Sequence, residues 1–442
     1  MEENLFFIKT CKDFLLGNLE NLSINKNIGS GAIVLSSNNN KYIEYGIYTS
    51  QVINLNTFKR LLVSWNCETP KGTWIEVQAR AFITYYDDNK NPTYEWSDWL
   101  SFGKWGTHIK RYSKSSDSHL AKISTDEFII KGSDMNTASK VQIRALLHTE
   151  DTSVTPSIRQ FIISYKNNPQ RIKSIEIPSD KIIDVPSYSQ YIRDKSIGGV
   201  ICSPTSITML LNRRNENLIV EETAWSCFDY DYDAFGNWLF NVAFASSLGY
   251  ESFVEYGNLK SLKKEIYNGY PVAVSVKYTN DINNLEYPYI ENAPMTTAGH
   301  LLVVRGFEKK NGIDYVVVND PAGKSNELVT RRYKLSEFEN AWYRGNNVMY
   351  IIHDKEVEIN NNKIKANLEL INIKDFLYSV SINDEPLDLS PHFAKTILLT
   401  YDNGLTFEYL TPYNDHYLTL KDINRCKIYI VGSDGFTYVC NC

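Results

Sequence analysis

Residues 198–211 read GGVICSPTSITMLL, and the interpretation of the whole chain starts from this stretch. Pro204 suits the first turn of a helix, because its missing N–H would have no intrahelical partner there. Ser203 is then the natural N-cap, and the apolar residues that follow have helical spacing. Cys202 therefore lies at the start of a helix, where the macrodipole stabilises a thiolate and two preceding glycines leave the sulfur accessible. The stretch predicts either a nucleophilic cysteine or a small buried residue beneath a helix cap.

Length and composition describe a globular protein with more than one domain. The chain has 442 residues, of which 43% are hydrophobic and 22% charged, and a formal net charge of -6. A chain of this length forms several cores, and a negative net charge gives no basis for nucleic-acid binding. No stretch approaches the roughly 20 apolar residues that a membrane span needs. The N-terminus has acidic residues where a signal peptide has basic ones, so we expect a cytoplasmic protein by default, or a secreted one if the chain is trimmed.

Seven cysteines are scattered along the chain, and their spacing implies no disulfide framework. Cys426, Cys440 and Cys442 lie near each other in sequence, but no histidine or fourth cysteine has ligand spacing to them. We therefore expect no metal site and no cofactor.

The pattern of strands and helices predicts three domains. Residues 1–168 contain short strand-like runs separated by turn signals and no convincing helix, which indicates an all-β sandwich of the jelly-roll type. The polar, proline-bearing stretch 166–173 marks the boundary. Residues 174–355 begin with helical segments and continue with strands, which is an α+β pattern. Residues 356–442 alternate in short runs that are typical of a small β domain.

An aromatic-rich run in the first domain holds Tyr94, Trp96, Trp99 and Trp105. Exposed aromatic rings beside polar groups can stack on sugars or on other proteins. This domain is therefore predicted to place the protein on a polymeric or surface target. The alternative is that these rings belong to the core of the sheets.

A predicted β-hairpin brings a histidine and a carboxylate together. Two strand-like runs flank the polar loop EKKNG, residues 308–312. If the turn centres near Lys310, His300 lies opposite Asp320, and directly opposed side chains share a face with Cβ atoms about 5 Å apart. A slip of one residue would put Asn319 in that place instead. Either partner would fix the imidazole tautomer, while a satisfied core histidine stays open as the alternative.

Five segments resemble, in order and spacing, the C39-like peptidase family of papain-like fold. They are VPSYSQ (185–190), CSPTS (202–206), GNWLFN (236–241), AGHLLVV (298–304) and VVNDPA (317–322). The β-rich front half is also similar to the sandwich that precedes this domain in some bacterial members. The resemblance implies an α+β papain-like cysteine peptidase domain in the middle of the chain.

The resemblance also implies roles for four residues: Cys202 as nucleophile, His300 as general base, Asp320 as the residue that orients the imidazole, and Gln190 as a donor to the oxyanion. The last role has a chemical reason, because an amide N–H beside the Cys202 backbone N–H stabilises a tetrahedral oxyanion. The family usually has glycine after the cysteine, where this chain has Ser203. We expect the larger residue to narrow the cleft and activity to survive.

Two further residues, Trp238 and Asn241, are predicted either to line the substrate side or to belong to a helix core. Taken together, these patterns predict a multidomain cysteine hydrolase. The first prediction is a peptidase that acts on peptides or proteins through a thioester acyl-enzyme. An acyltransferase or transglutaminase-like enzyme with the same triad is one alternative. A surface or glycan-binding protein with an inactive hydrolase domain is the other.

Overall fold

The computed structural model describes residues 4–87, 89–167, 181–359 and 363–441. Most of the predicted boundary stretch 166–173 lies outside these residues, so the boundary itself stays a prediction. Within the described residues, strands predominate, and they form five sheets of four to eight strands and one two-stranded ribbon.

Two antiparallel sheets pack face to face in the front part of the chain. Its strands are β1 (Leu5–Ile8), β2 (Asn18–Glu20), β3 (Leu22–Asn25), β4 (Ala32–Leu35), β5 (Ser37–Asn38), β6 (Lys41–Tyr42), β7 (Tyr45–Thr49), β8 (Ile53–Phe58), β9 (Arg60–Glu68), β10 (Thr73–Tyr86), β11 (Pro92–Trp96), β12 (Leu100–Trp105), β13 (Ser116–Asp117), β14 (Ala121–Ser124), β15 (Glu127–Ile130), β16 (Thr137–Thr149) and β17 (Ser157–Lys166). The first sheet has the order β13-β14-β15-β9-β17-β4-β3, with β1 on β17. The second has the order β11-β10-β16-β7-β2, with β12 on β10 and β8 on β16.

The long strand β10 shows why this part of the chain forms a sandwich. Its side chains alternate between buried and half-buried along almost the whole strand. Side chains that point to one face of a strand recur every second residue, so one face joins the core and the other faces outward. One short helix, α1 (Cys11–Leu15), departs from the prediction that this part holds strands alone. Thr10 caps it, with Asp13 completing a capping box.

The middle of the chain is an antiparallel sheet with helices packed on it. The helices are α2 (Cys202–Asn212), α3 (Val220–Cys227), α4 (Trp238–Ser247), α5 (Leu259–Asn268) and α6 (Leu335–Arg344). The strands are β18 (Lys181–Ile182), β19 (Tyr250–Tyr256), β20 (Val272–Tyr278), β21 (Thr297–Lys310), β22 (Ile313–Asn319), β23 (Thr330–Lys334) and β24 (Val348–Lys355). The sheet order is β19-β24-β20-β21-β22-β23, with β18 on β21. None of the helices in the described residues is long and apolar enough to cross a bilayer.

The hairpin of β21 and β22 differs in register from the prediction. The strands pair as far as Lys310↔Ile313, and the two residues between them, Asn311 and Gly312, both have positive φ. An Asn-Gly turn of this kind matches the twist of a two-residue hairpin, which places the turn later than Lys310. An irregularity after Val304 then shifts the pairing by one residue.

The last part of the chain has its own sheets and core. Its strands are β25 (Ile364–Lys365), β26 (Asn367–Asn372), β27 (Leu377–Ile382), β28 (Glu385–Pro386), β29 (Ala394–Thr400), β30 (Glu408–Tyr409), β31 (Tyr417–Thr419), β32 (Lys427–Gly432) and β33 (Thr437–Asn441). They form a five-stranded sheet, β25-β33-β32-β29-β30, and a four-stranded one built on β27. Cys426 is disulfide-bonded, which the cysteine spacing does not predict.

The sandwich completes one edge of the middle sheet. Strand β19 pairs with β24 on one side, and its other edge faces β9 and β17. Three buried side chains from those strands bond its backbone: Asn66 Nδ2 donates to Ser252 O (2.6 Å), Ser64 Oγ accepts from Val254 N (3.0 Å) and Ser164 Oγ accepts from Tyr256 N (2.9 Å). Buried backbone groups need partners, so these side chains serve in place of a further strand.

One aromatic residue of the predicted surface cluster lies in this interface. Trp105 is buried, and its ring centroid lies 5.3 Å from that of Phe240 in α4. Trp65 of β9 packs on the same phenylalanine. Trp105 therefore lies in the core between the sandwich and the middle sheet, as the alternative prediction for the aromatic run states. Of the four aromatic residues, only Tyr94, Trp96 and Trp99 reach the surface.

Candidate active site

Cys202 is the first residue of α2 and is only half-buried. The helix begins two residues earlier than predicted, so its N-cap is Ile201, which makes no side-chain cap bond. Ser203 is therefore not the cap. Its hydroxyl instead shares a 3.0 Å hydrogen bond with Tyr350 beneath the helix. Pro204 still falls in the first turn, where a missing N–H costs nothing.

The charge state of Cys202 is set by its neighbours. Burial of the sulfur raises its pKa, but the charge of His300 and a hydrogen bond with its imidazole lower it. The backbone N–H groups of Leu301 and Ser203 act in the same direction, and the net pKa of Cys202 is lowered. By contrast, burial raises the pKa of Cys67 and of Cys440 to about 12, so those two thiols are harder to ionise than that of Cys202.

His300 lies on β21 with its side chain buried. Its Nε2 is 2.7 Å from Asp320 Oδ1, which leaves Nδ1 as the nitrogen that serves Cys202. Burial lowers the pKa of His300, but the negative charges of Asp320 and Cys202 outweigh it and raise the pKa to about 10. The imidazole of His300 is therefore protonated near neutral pH, and its charge favours the thiolate form of Cys202.

Asp320 is completely buried, and four donors surround its carboxylate. Besides the imidazole, Oδ1 accepts from the backbone N–H of Ala322 (3.0 Å). Oδ2 accepts from the hydroxyls of Tyr278 (2.9 Å) and Tyr333 (2.8 Å). Burial raises the pKa of Asp320, but His300 and these hydrogen bonds lower it overall, so the carboxylate stays charged in the interior.

The two residues meet diagonally rather than as a direct cross-strand pair. Val303 is paired with Asn319, and continuing that register would put His300 opposite position 322, two residues beyond Asp320. Side chains alternate between faces, so an offset of two keeps both groups on the same face. Diagonal neighbours on one face are within reach of each other. The predicted contact is present, although the predicted register is wrong.

Asn319, the alternative partner, faces the other way. Its Nδ2 donates to the carbonyls of Val185 (3.2 Å) and Pro186 (3.0 Å), and its Oδ1 accepts from Thr330 Oγ1 (2.9 Å). It fixes the segment that leads to Gln190 and does not touch the imidazole.

Gln190 begins a short 3-10 turn and is buried. Its backbone N–H donates to Pro321 O (2.9 Å), next to Asp320, and its Nε2 donates to Gly198 O (2.9 Å). Its Oε1 has no partner among the described residues. Gln190 thus ties the His–Asp side of the site to the loop before Cys202, and its role as an oxyanion donor stays a prediction.

Trp238 and Asn241 belong to the first turn of α4. Asn241 is completely buried, and its Nδ2 donates to the carbonyls of Phe235 (2.9 Å) and Asn237 (2.8 Å). These contacts fit the alternative prediction, in which Asn241 belongs to the core around the helix and does not line the substrate side. Trp238 is half-buried and donates its backbone N–H to Asp126 of the sandwich (2.7 Å). A substrate contact for Trp238 remains a prediction.

Tyr278 and Tyr333 contact Asp320 in a way that the sequence does not reveal. They lie on β20 and β23, the strands that flank the hairpin of β21 and β22. Neither has a local motif, and only the order of strands in the sheet brings them to Asp320. Tyr191 also lies near the site, where burial and the charges of Asp320 and Cys202 raise its pKa.

A second charged cluster lies away from this site, beside a cavity of about 500 Å³ that includes Phe7 and Tyr270 in its wall. His353 contacts Glu251 through Nδ1 and Glu265 through Nε2, each at 2.9 Å. Burial lowers the pKa of His353, but the two carboxylates raise it to about 9. In the described part of the chain, no group of side chains is arranged to hold a metal ion.

An α+β unit with a cysteine at a helix start and a buried His–Asp pair on its sheet has the architecture of cysteine peptidases. Two family models match the chain. Residues 182–350 match the Peptidase_C39 like family, and residues 11–164 match the Peptidase C39 N-terminal domain. The chain therefore contains a C39-like peptidase domain preceded by a C39 N-terminal domain.

Several solved structures are similar to parts of the chain. A double glycine motif protease from an AMS/PCAT transporter, in complex with its leader peptide, is 20% identical over 40% of this chain and 98% of its own, with a TM-score of 0.27. Digestive procathepsin L 3 of Tenebrio molitor larval midgut is 15% identical over 42% and 73%, with a TM-score of 0.30. The module TmCBM61, in complex with beta-1,4-galactotriose, is 12% identical over 35% and 91%, with a TM-score of 0.16. At such TM-scores these likenesses decide nothing. No curated protein matches the chain.

Proposed function

We propose that this protein is a cysteine peptidase in which Cys202 is the nucleophile, His300 the general acid and base, and Asp320 the residue that orients the imidazole. The observation that carries the proposal is the buried 2.7 Å contact of His300 with Asp320, beside a cysteine whose pKa is lowered. The match of residues 182–350 to a peptidase family model supports peptides or proteins as substrates.

The reaction follows from these groups. The thiolate of Cys202 attacks the scissile carbonyl carbon, and the carbonyl electrons move to oxygen. When the tetrahedral intermediate collapses, the C–N bond breaks and the imidazolium of His300 gives its proton to the leaving amine. Neutral His300 then takes a proton from water, the hydroxide attacks the thioester, and Cys202 leaves as a thiolate.

The proposed oxyanion donors are the backbone N–H of Cys202 and the side chain of Gln190. The Gln190 Nε2 carries two hydrogens, of which one is used by Gly198 O. The second is free to donate to the intermediate. Tyr278 and Tyr333 assist indirectly, because their hydroxyls keep the buried carboxylate of Asp320 charged.

The test is to compare the peptides released from a proteome-derived peptide library by the wild type and by Cys202→Ala. Cys11→Ala, which changes another half-buried thiol, is the matched control. We expect cleavage to be lost in Cys202→Ala alone. Added amine separates hydrolysis from acyl transfer, since a transferase would give amide products. Cleavage by Cys202→Ala would reject the proposal in favour of a binding protein.

We further propose that the outer face of the second sheet of the sandwich contacts a polymeric target, and that this target is acidic. The guanidinium of Arg80 lies 4.7 Å from the ring of Trp96 and 4.8 Å from that of Trp99, and Arg144 lies 4.5 Å from Trp99. Aromatic rings stack on sugars, and adjacent guanidinium groups bind carboxylates.

Within the described ranges, neither arginine is paired with an acidic side chain. Arg80 and Arg144 are each bonded to a cross-strand glutamine, Gln142 and Gln78 respectively. Neither has a carboxylate at ion-pair distance among the described residues. Burial lowers the pKa of Arg80, and the charge of Arg144 lowers it further, so an anion placed between them would be stabilised.

A further inference from the structure

The part of the chain that follows the peptidase unit touches the loop between Gln190 and Cys202. Neither family model covers residues 363–441. Thr396 of β29 is buried, and its hydroxyl donates to Asp194 Oδ2 at 2.9 Å. Trp225 of α3 donates its indole N–H to the same hydroxyl at 3.2 Å.

A second contact reaches the same loop through α3. Tyr409 of β30 donates its hydroxyl to Glu221 Oε1 at 2.6 Å. The same oxygen accepts from the backbone N–H of Asp194 at 3.2 Å. Glu221 is completely buried, so its carboxylate depends on these donors for its charge to be tolerated. The C-terminal domain thus holds Asp194 by its side chain and, through Glu221, by its backbone.

Asp194 in turn fixes the rest of the loop. Its carbonyl accepts from Gly198 N (2.7 Å) and Ile197 N (3.1 Å). The carbonyl of Gly198 accepts from Gln190 Nε2 (2.9 Å). A Cβ at position 198 would lie 2.8 Å from Gln190 O, so the approach of the two segments is close. A continuous set of hydrogen bonds therefore runs from Thr396 and Tyr409 to the side chain of Gln190.

An apolar contact accompanies these bonds. Leu398 and Val431 of the C-terminal domain pack with Ile219 at the start of α3 in one buried cluster, with Trp225 and Tyr409 against it. The C-terminal domain is therefore seated on α3 through both apolar and polar groups.

We infer that the C-terminal domain positions the loop that carries the oxyanion donors, with Thr396 and Tyr409 as its positioning residues. This inference rests on the proposed peptidase function. The oxyanion exists only in the transition state and the intermediate, so loosening its donors lowers kcat and leaves KM nearly unchanged. The thiolate of Cys202 is maintained by His300 and Asp320, which these contacts do not touch.

The test uses full-length Thr396→Val and Tyr409→Phe. We expect kcat to fall about tenfold in each, with KM within about twofold, on a peptide that the wild type cleaves. Thr396→Ser keeps the hydroxyl and should restore kcat. The matched controls are Thr406→Val and Tyr401→Phe, whose hydroxyls bond only within the C-terminal domain.

Two further measurements separate positioning from general support of the fold. Iodoacetamide should alkylate Cys202 at the wild-type rate in both variants, and hydrogen exchange should speed up in residues 190–201. Unchanged kcat or unchanged exchange in both variants would overturn the inference. A fall in kcat with an equal fall in alkylation would overturn it too, because the domain would then support the whole site. If Cys202→Ala still cleaves peptides, the proposed peptidase function is rejected. Hydrogen exchange in residues 190–201 would then still test whether the C-terminal domain holds the loop.

Discussion

Replacing Asp320 with asparagine removes one negative charge and leaves a side chain of the same shape beside His300. Together with the charge of Cys202, this carboxylate raises the pKa of His300 to about 10 despite burial of the ring. Without that charge, the imidazolium is no longer stabilised at the site. The thiolate of Cys202 then loses the cation that lowers its pKa.

The size of the effect follows from ordinary ionisation. A thiol whose pKa returns to about 8.5 is ionised to only about 0.3% at pH 6, which corresponds to a fall in alkylation rate of roughly 300-fold from a fully ionised thiolate. A more basic thiolate is more nucleophilic, which offsets part of the loss. We expect iodoacetamide to react with Cys202 in Asp320→Asn about 30- to 100-fold more slowly at pH 6, and within about threefold of the wild type at pH 9.

The assay is mass-spectrometric mapping of alkylated cysteines at a series of pH values. The wild type should be modified first at Cys202, because burial raises the pKa of Cys67 and of Cys440 to about 12. Asn319→Ala is the matched control, since Asn319 lies next to Asp320 but holds Val185 and Pro186 instead of the imidazole. Equal alkylation rates for Asp320→Asn and wild type at pH 6 would refute the reasoning. So would a greater loss in Asn319→Ala.

Three other predictions concern the interface, the outer sheet face and the second charged cluster. Asn66→Ala leaves buried backbone groups of β19 without partners, so it should lower the free energy of unfolding by about 2–4 kcal/mol in urea titrations, whereas exposed Asn54→Ala should change it little. Arg144→Gln should weaken binding to polygalacturonate in a salt-dependent way, with Lys122→Gln on the other sheet as control, and equal binding by all three proteins would exclude the acidic target. The raised pKa of His353, about 9, means that its stabilisation is complete below its unfolded value of 6.5 and is lost as the pH rises through about 9. His353→Gln should therefore cost about 1.5–3 kcal/mol at pH 6 and less at pH 9.5, and an equal cost at both values would contradict this.

Local patterns in the sequence predict those elements whose bounds are set by neighbouring residues. The strand β10 has the bounds that its alternation indicates, and α5 runs from Leu259 to Asn268 as predicted. Asn258 caps that helix and Gly269 ends it with positive φ, which are signals that the sequence contains. The helices α3 and α6 are not predicted, and neither has the side-chain N-cap bond that marks the start of α5.

The register of the β21–β22 hairpin could be predicted only in part, since Asn311 and Gly312 set its turn locally but its irregularity after Val304 lies beside a distant segment. The carbonyl of Arg305 accepts from Ile183 N at 2.8 Å, and the Arg305 side chain donates back to Ile183 O at the same distance. A Cβ at Gly306 would lie 2.2 Å from Lys181 O. Strand β18 therefore approaches β21 closely at the point where the pairing of β21 with β22 shifts by one residue. The contact between His300 and Asp320 survives the wrong register because the net offset is two residues.

The hydrogen-bond donors around Asp320 could not be predicted from the sequence either. A buried carboxylate needs donors, so the sequence argument implies that some exist, but it gives no means of choosing them. Tyr278 lies 42 residues before Asp320 in the sequence and Tyr333 lies 13 residues after it, and the strand order makes both of them neighbours of Asp320.

The two sheets of the sandwich make different contacts. The first sheet, through β9 and β17, covers α4 and the edge of β19. Removing it would expose an unpaired strand edge and the apolar side of α4, and such edges pair with other chains. We therefore expect deletion of the sandwich to destabilise the peptidase unit, which makes it a poor test of target binding. The guanidinium groups of Arg80 and Arg144 lie on the second sheet, where substitutions leave that interface intact. Point variants on this face are the means of separating a role in folding from a role in binding.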